Sequence, residues 1–217
     1  MIIKTYSIIY EDQWIMVVDK PSGMLVIPTP RKETNTLTDL LNRDLDRRGI
    51  EANAHPCHRL DRETSGIMIY AKGKKAQKLL MDEFKNRRVK KKYIAFILGK
   101  PAQDSGVIKK NIFNRNKKRS DPAETKYRVL EAKRGFSVVE VEPLTGRTNQ
   151  IRIHFKGIGH PLVGESVYAF RKDFDIKFKR AALHAAALEF IHPVTGKELK
   201  FTSPLANDMA NFVKKLN

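Results

Sequence analysis

The amino-acid sequence predicts an α+β fold with a mixed, largely antiparallel central sheet flanked by helices and loops. Three observations carry this. Paired β-rich runs are joined by short Gly- or Pro-containing turns. Helical periodicities are scattered among them. No regular alternation of strand and helix marks a doubly wound parallel sheet. With 217 residues, the chain is long enough to bury a sizeable core. It contains no internal repeat, low-complexity tract or Gly/Ser linker, so residues 1–217 are expected to form one domain.

The elements follow in order. The stretch WIMVVDKPSG (14–23) reads as a strand halted at Pro21–Gly23. Leu37, Leu40, Leu41 and Leu45 fall at helical spacing, and Gly49 suits the position after the helix. Ile67–Ala71 is a strand. Ala76, Leu79, Leu80 and Phe84 mark a second helix. KKYIAFILG (91–99) is apolar on both faces, as a central strand should be. Residues 124–146 form a hairpin turning at Lys133–Gly135, and residues 185–202 form another turning near Pro193–Gly196. Ser203 and Pro204 fit the N-cap and first position of a closing helix. Its apolar face carries Leu205, Met209, Phe212, Val213 and Leu216. GRTNQIRIHFKG (146–157) is ambiguous. Its alternation slightly favours a strand, while Thr148 and Gly157 bracket it as a helix.

Charge points to the partner. Lys and Arg total 42 against 24 acids, a net +18, which favours a polyanion, nucleic acid before a membrane surface. The cations cluster: KNRRVKKK (85–92) and KKNIFNRNKKR (109–119) each hold six and no acid. Such runs are commonly solvated faces. Two of them, with Phe113 and asparagines interleaved, favour sequence-independent contact with phosphates. Lys90, Lys91, Lys92, Lys117, Lys118 and Arg119 are the expected RNA contacts. Zinc-finger, RNA-recognition and helix-turn-helix signatures are missing. No apolar run reaches a membrane-spanning length, and the N-terminus does not read as a signal peptide. One cysteine fits a reducing cytoplasm. A monomer with no membrane partner is expected.

Two clusters could carry chemistry. HPCH (55–58) suggests metal ligation by His55, Cys57 and His58, but no second cluster completes a tetrahedral site. Cys57 also lacks a setting that would activate its thiol. No P-loop or dinucleotide fingerprint is present. HRLDRETSG (58–66) places Asp61 between Arg59 and Arg62, just ahead of a strand. Asp61 is either a turn residue with charged neighbours or a carboxylate held for reaction.

Taken together, HRLDRETSG and GRTNQIRIH resemble the RluA-type pseudouridine synthases. These carry H-R-L-D-x-x-T-S-G and, later, G-R-T-H-Q-I-R-x-H. VDKPSGMLVIP (18–28), KKYIAFILGK (91–100), GHPLVGESVY (159–168) and LHAAALEFIHP (183–193) look like further family segments in the family's order. The resemblance covers nearly the whole chain. It implies a catalytic fold with a central cleft and isomerisation of uridine in ribosomal or transfer RNA. It assigns Asp61 as the catalytic aspartate and Tyr93 as the tyrosine against the target base. Arg152 becomes the partner of the catalytic carboxylate, and Arg59 the arginine that fills the space left by the base. It implies that Gln150–Phe155 is a short helix, and that no metal, nucleotide or redox cofactor is used. Many members carry an additional N-terminal RNA-binding domain; here the K-P-x-G strand begins near residue 14, and none is expected.

The chemistry suits these residue types. Breaking N1–C1′ creates an oxocarbenium-like centre, which a carboxylate can attack or assist through proton loss from the sugar. A nearby arginine favours its charged form. A guanidinium can stack where a base has left. The rival readings are a non-catalytic RNA-binding protein on the same fold and a base-excising glycosylase or nuclease. Two positions depart from the family pattern. Asn149 stands where histidine is usual, and Gly164-Glu165-Ser166 where G-D is usual. Both concern the surroundings of the site and the choice of substrate.

Overall fold

In a computed structural model, residues 6–114, 117–169 and 176–215 are described. In chain order the elements are β1 (Ser7–Glu11), β2 (Ile15–Lys20), α1 (Leu37–Arg47), β3 (Ala54–Pro56), β4 (Ser65–Lys72), α2 (Lys74–Lys85), β5 (Lys90–Leu98) and β6 (Ser105–Lys109). They continue with β7 (Ile112–Asn114), β8 (Arg119–Asp121), β9 (Glu124–Lys133), β10 (Phe136–Pro143), α3 (Gln150–Gly157), β11 (Leu183–Ile191), β12 (Glu198–Thr202) and α4 (Asn207–Lys215). The chain divides into two compact units, Met1–Lys90 with Ala185–Pro204, and Lys91–His184 with Leu205–Asn217.

In the first unit, β1 pairs antiparallel with β2, β2 with β4, β3 with β4, and β11 with β12. The strand order is β1-β2-β4-β11. Ile15, Met16, Val17 and Val18 on β2 are all buried, as is the run Ile67–Ala71 on β4. Both strands are covered on both faces, which explains their continuous apolar runs. Helix α1 buries Leu37, Leu41 and Leu45. Thr36 and Asp39 cap it reciprocally, each side chain accepting the other residue's backbone N–H, an arrangement that contributes about 1 kcal/mol. Gly49, at φ +66°, lies just past its end.

In the second unit, β5, β10, β9 and β6 form an antiparallel ladder. β9 and β10 make the expected hairpin, with a register irregularity between Val138 and Val139. Phe96, Phe136, Val163, Ala182 and Met209 form its core, against which Leu205, Phe212 and Val213 pack. These contacts bear out the expected inner face of α4; Leu216 lies outside the described residues.

Two local expectations need correction. α4 begins at Asn207, not after Ser203. The Ser203 hydroxyl instead donates to Asp19 Oδ2 at 2.9 Å, and its N–H to Ala186 O. Ser203 is therefore tied to the sheet and cannot cap. Residues 150–157 are helical, as the family resemblance implies, not a strand. The alternation misleads because Gln150, Arg152 and His154 are themselves buried with Ile151 and Phe155. Gln150 Oε1 accepts from Thr145 Oγ1 and the Arg147 N–H, while its Nε2 donates to Glu124 O and Thr125 Oγ1. Buried polar side chains with dedicated partners erase the helix's polar stripe.

Candidate active site

The HRLDRETSG segment is fixed at several points along its length. The His58 ring packs on Phe84 with centroids 4.9 Å apart, and its Nε2 accepts the Ile69 N–H at 3.1 Å. Leu60, Thr64 and Ser65 are buried. The turn lies at Arg62–Glu63, ahead of the TSG, because Ser65 already opens β4. The Thr64 N–H closes it onto Asp61 O at 3.1 Å. The Arg62 carbonyl accepts the Gly23 N–H at 2.7 Å and Lys20 Nζ at 3.3 Å.

Lys20 belongs to the K-P-S-G turn and is fully buried. Its ammonium also donates to Pro21 O at 3.0 Å and Met24 O at 2.9 Å. A buried charge is tolerated because it is hydrogen-bonded. Here it ties the end of β2 to the carbonyl of Arg62, the residue after Asp61. Gly66 supplies the last constraint. Its φ is +110°, and a Cβ there would lie 2.2 Å from Ala185 O. Only glycine allows that approach. Asp61 is thus half-buried, with Arg59 exposed beside it. Arg62 reaches Glu33 at 3.2 Å on the surface.

Tyr93, in the second unit, is buried on β5 opposite Val141 of β10. Lys91 precedes it by two positions, and burial pushes its ammonium pKa down. Strand alternation turns Lys90 and Lys92 to solvent instead.

Arg152 is buried on α3. Its Nε and one terminal nitrogen donate to the two oxygens of Glu165, each at 2.7 Å. The other terminal nitrogen donates to Asn149 Oδ1 at 3.3 Å. The ring of Tyr168 lies 5.4 Å from its guanidinium carbon, within cation–π range. Burial pushes the Glu165 carboxyl up. The Arg152 guanidinium and the N–H groups of Val167 and Tyr168 outweigh it, leaving the group below its ordinary value. Both positions that depart from the family pattern therefore sit on Arg152, a convergence that motif spacing does not reveal.

The HPCH residues have structural partners. Cys57 Sγ lies 3.7 Å from His55 O, and burial pushes its thiol up to about 12. Among the described residues, no group of three or more His, Cys, Asp and Glu is arranged around a common point.

The acid-free runs are not acid-free in space. Glu83 pairs with Arg88, Glu189 with Lys90, Glu140 with Lys92 and Asp121 with Arg119. Exposed pairs of this kind hold by at most about 1 kcal/mol, and a phosphate can replace the carboxylate. Lys117 and Lys118 are exposed beside β8, and Phe113 is 61% exposed on β7. Residues 115–116 of this run lie outside the described residues.

Similarity to known proteins runs along most of the chain. Residues 14–156 match the family model "RNA pseudouridylate synthase". The chain is 40% identical over 221 residues to an uncharacterized RNA pseudouridine synthase of Bacillus subtilis, YlyB, covering 97% of this chain and 72% of that protein. It is 35% identical over 229 residues to the ribosomal large subunit pseudouridine synthase D of Zymomonas mobilis, with the same shares covered. In fold it resembles human RNA pseudouridylate synthase domain containing 4, with a TM-score of 0.82 and 24% identity over 96% of this chain and 92% of that one. The family match takes in Asp61, Tyr93 and Arg152 and ends before Glu165. On these similarities, the chain belongs to the RNA pseudouridylate synthase family and is an enzyme that isomerises uridine in RNA.

Proposed function

We propose that Asp61 is the catalytic carboxylate, with Tyr93 against the target uracil, Arg152 orienting the carboxylate and Arg59 filling the vacated stack. The observation that carries this is the loop around Asp61. A buried ammonium, a stacked histidine and a glycine that tolerates no Cβ hold one half-buried aspartate, with an exposed arginine two residues before it. Such restraint suits a group that must meet a sugar carbon in one geometry. In the reaction N1–C1′ breaks, C5–C1′ forms, C5 gives up its proton and N1 gains one, so mass is conserved. Tyr93 offers a ring to stack on uracil and a hydroxyl to take part in that proton transfer. No metal or organic cofactor enters these steps.

Ribosomal RNA is the proposed substrate, ahead of transfer RNA, because relatives from Zymomonas mobilis and Nitrosomonas europaea are named ribosomal large subunit pseudouridine synthase D. Residues 1–217 act as one catalytic domain in this proposal, as a monomer in the cytoplasm, with the basic runs holding RNA. Asp61→Asn is the direct test. It should abolish the appearance of carbodiimide-reactive pseudouridine in RNA while leaving RNA affinity within a few-fold. Pseudouridine formation by that variant, with deamidation excluded by mass spectrometry, overturns the role of Asp61. Mapping pseudouridine in total RNA from cells lacking the protein identifies the target. Sites lost only from transfer RNA overturn the ribosomal assignment.

A further inference from the structure

We propose that Glu165 and Asn149 are positioning residues of the reaction, acting through Arg152 to fix the direction in which its guanidinium donates. The proposal rests on the reading that Arg152 serves the catalytic carboxylate.

Geometry supports it first. The side chains of Arg152 and Glu165 are 7% and 0% exposed. A buried ion pair adds little stability over apolar packing of similar volume, and it persists only with good geometry and further hydrogen bonds. Both conditions are met. The two 2.7 Å bonds make a planar fork. Glu165 Oε1 also accepts the N–H groups of Ser166, Val167 and Tyr168 at 3.0, 2.8 and 3.3 Å. The carboxylate is thus held by its own backbone as well as by Arg152. Gly164 makes that turn possible. At φ +77°, a Cβ there would lie 2.0 Å from Arg180 O.

Asn149 supplies the second brace. It sits in the left-handed region at φ +53°, a conformation that asparagine adopts more readily than most residues. Its amide is used at both ends. Oδ1 accepts from Arg152 at 3.3 Å, and Nδ2 donates to the Tyr168 hydroxyl at 2.7 Å. Tyr168 in turn presents its ring to Arg152. Glu165, Asn149 and Tyr168 therefore close a ring of contacts around one guanidinium.

The bonds to Glu165 and Asn149 use three N–H groups of the five that a guanidinium carries. The two braces fix the plane of the guanidinium and so the direction of its other N–H groups. Glu165 also matches its charge. Arg152 then acts on a second carboxylate mainly through the direction of its hydrogen bond, and orientation becomes the property under control. Asparagine at 149 keeps a titratable imidazolium away from that cation, and glutamate at 165 carries one more methylene than aspartate. The two departures are a matched pair around Arg152.

The test measures single-turnover pseudouridine formation and RNA affinity together. Glu165→Gln should lower the rate about 10- to 100-fold, the loss typical when a residue that orients a metal ligand is replaced, with the dissociation constant for RNA within three-fold. Glu165→Asp should recover part of that loss. Asn149→Ala should also lower the rate. Its effect combined with Glu165→Gln should fall short of the product of the two, because both act through Arg152. If Glu165→Gln does not fold, Asn149→Ala, at a partly exposed position, carries the test alone. Arg152→Ala is the control for the underlying reading, which falls if that variant keeps most of its rate. If Arg152→Ala is inactive while Glu165→Gln and Asn149→Ala each stay within two-fold of wild type, the positioning proposal is wrong. It is equally wrong if the losses track only the fraction of folded protein, measured by circular dichroism at the assay temperature.

Discussion

Lys20→Met replaces a fully buried ammonium with an apolar side chain of similar length. In wild type the ammonium serves the carbonyls of Pro21, Met24 and Arg62. Arg62 O keeps a second donor, the Gly23 N–H, so the loss falls mainly on the other two carbonyls. A hydrogen bond to a charged group contributes about 1.5–3 kcal/mol net, so two such bonds set the destabilisation at about 3–6 kcal/mol. For a chain of this size each kcal/mol lowers the midpoint by about 2–4 °C, giving a fall of about 6–24 °C. Thermal unfolding followed by circular dichroism reads this directly. A second consequence is functional. The Arg62 carbonyl, one residue past Asp61, loses one of its two donors, so at temperatures where the variant is folded, single-turnover rate should drop while RNA affinity stays near wild type. A midpoint within 2 °C of wild type would refute the stability reasoning. A folded variant with an unchanged rate would show that the tether to Arg62 does not matter to Asp61.

Cys57 should resist Ellman's reagent at pH 8 in the folded protein and react fully once denatured, because its thiol is buried and its pKa is pushed up to about 12; rapid reaction of the native protein would contradict that burial. RNA binding should weaken steeply with salt. Replacing Lys90, Lys92, Lys117 and Lys118 together by alanine should flatten the log–log slope by about 0.7–0.9 for each phosphate left without its cation, and an unchanged slope would remove these lysines from the RNA surface. Arg59→Ala should cost more turnover on structured RNA than on an unstructured oligonucleotide with the same uridine, since only the former has a stack to fill; equal losses would place Arg59 in folding or backbone contact.

The sequence discloses most where one property dominates a segment. β2 and β4 are apolar on both faces and so announce themselves as covered strands. α1 shows its leucines at helical spacing and its end at Gly49, while its cap at Thr36 and Asp39 emerges only in the structure. Legibility fails where a side chain works against its own pattern. α3 reads as a strand because its polar positions are buried with private partners. Ser203 reads as a cap because nothing local shows that Asp19, 184 residues away, takes its hydroxyl. The site divides in the same way. Asp61, Tyr93 and Arg152 stand out through motif resemblance. The buried lysine beneath the Asp61 loop does not, because lysine normally signals surface. The Arg152–Glu165 pair joins residues 13 apart across a turn, and its members attract notice only as departures from a family pattern.

Glu165 changes what an Arg152 substitution measures. In wild type the folded pKa of Glu165 lies below its ordinary value of 4.5. Its ionisation therefore supports the fold above the unfolded pKa, and that support is lost as pH falls through the lower, folded value. Arg152→Ala removes the guanidinium and leaves a buried carboxylate with backbone donors alone. Burial, already the largest influence on this group, then pushes its pKa upward, and the sign reverses. A carboxylate whose folded pKa exceeds its unfolded one costs stability increasingly as pH rises, by up to about 1.4 kcal/mol per unit. Breaking a buried pair on one side costs about 3–5 kcal/mol in all. Arg152→Ala should thus lie closest to wild type in thermal stability near pH 4–5 and fall progressively behind towards pH 8. Adding Glu165→Gln should abolish that divergence, because glutamine does not titrate. Parallel stability curves for Arg152→Ala and the double variant across this range would show that Glu165 is not held ionised by Arg152. The same logic governs activity. The pH profile of Arg152→Ala alone carries the titration of Glu165 along with any contribution from the carboxylate proposed as catalytic. Only in the Glu165→Gln background is a rise in residual rate with pH free of Glu165 and so a test of the role proposed for Asp61.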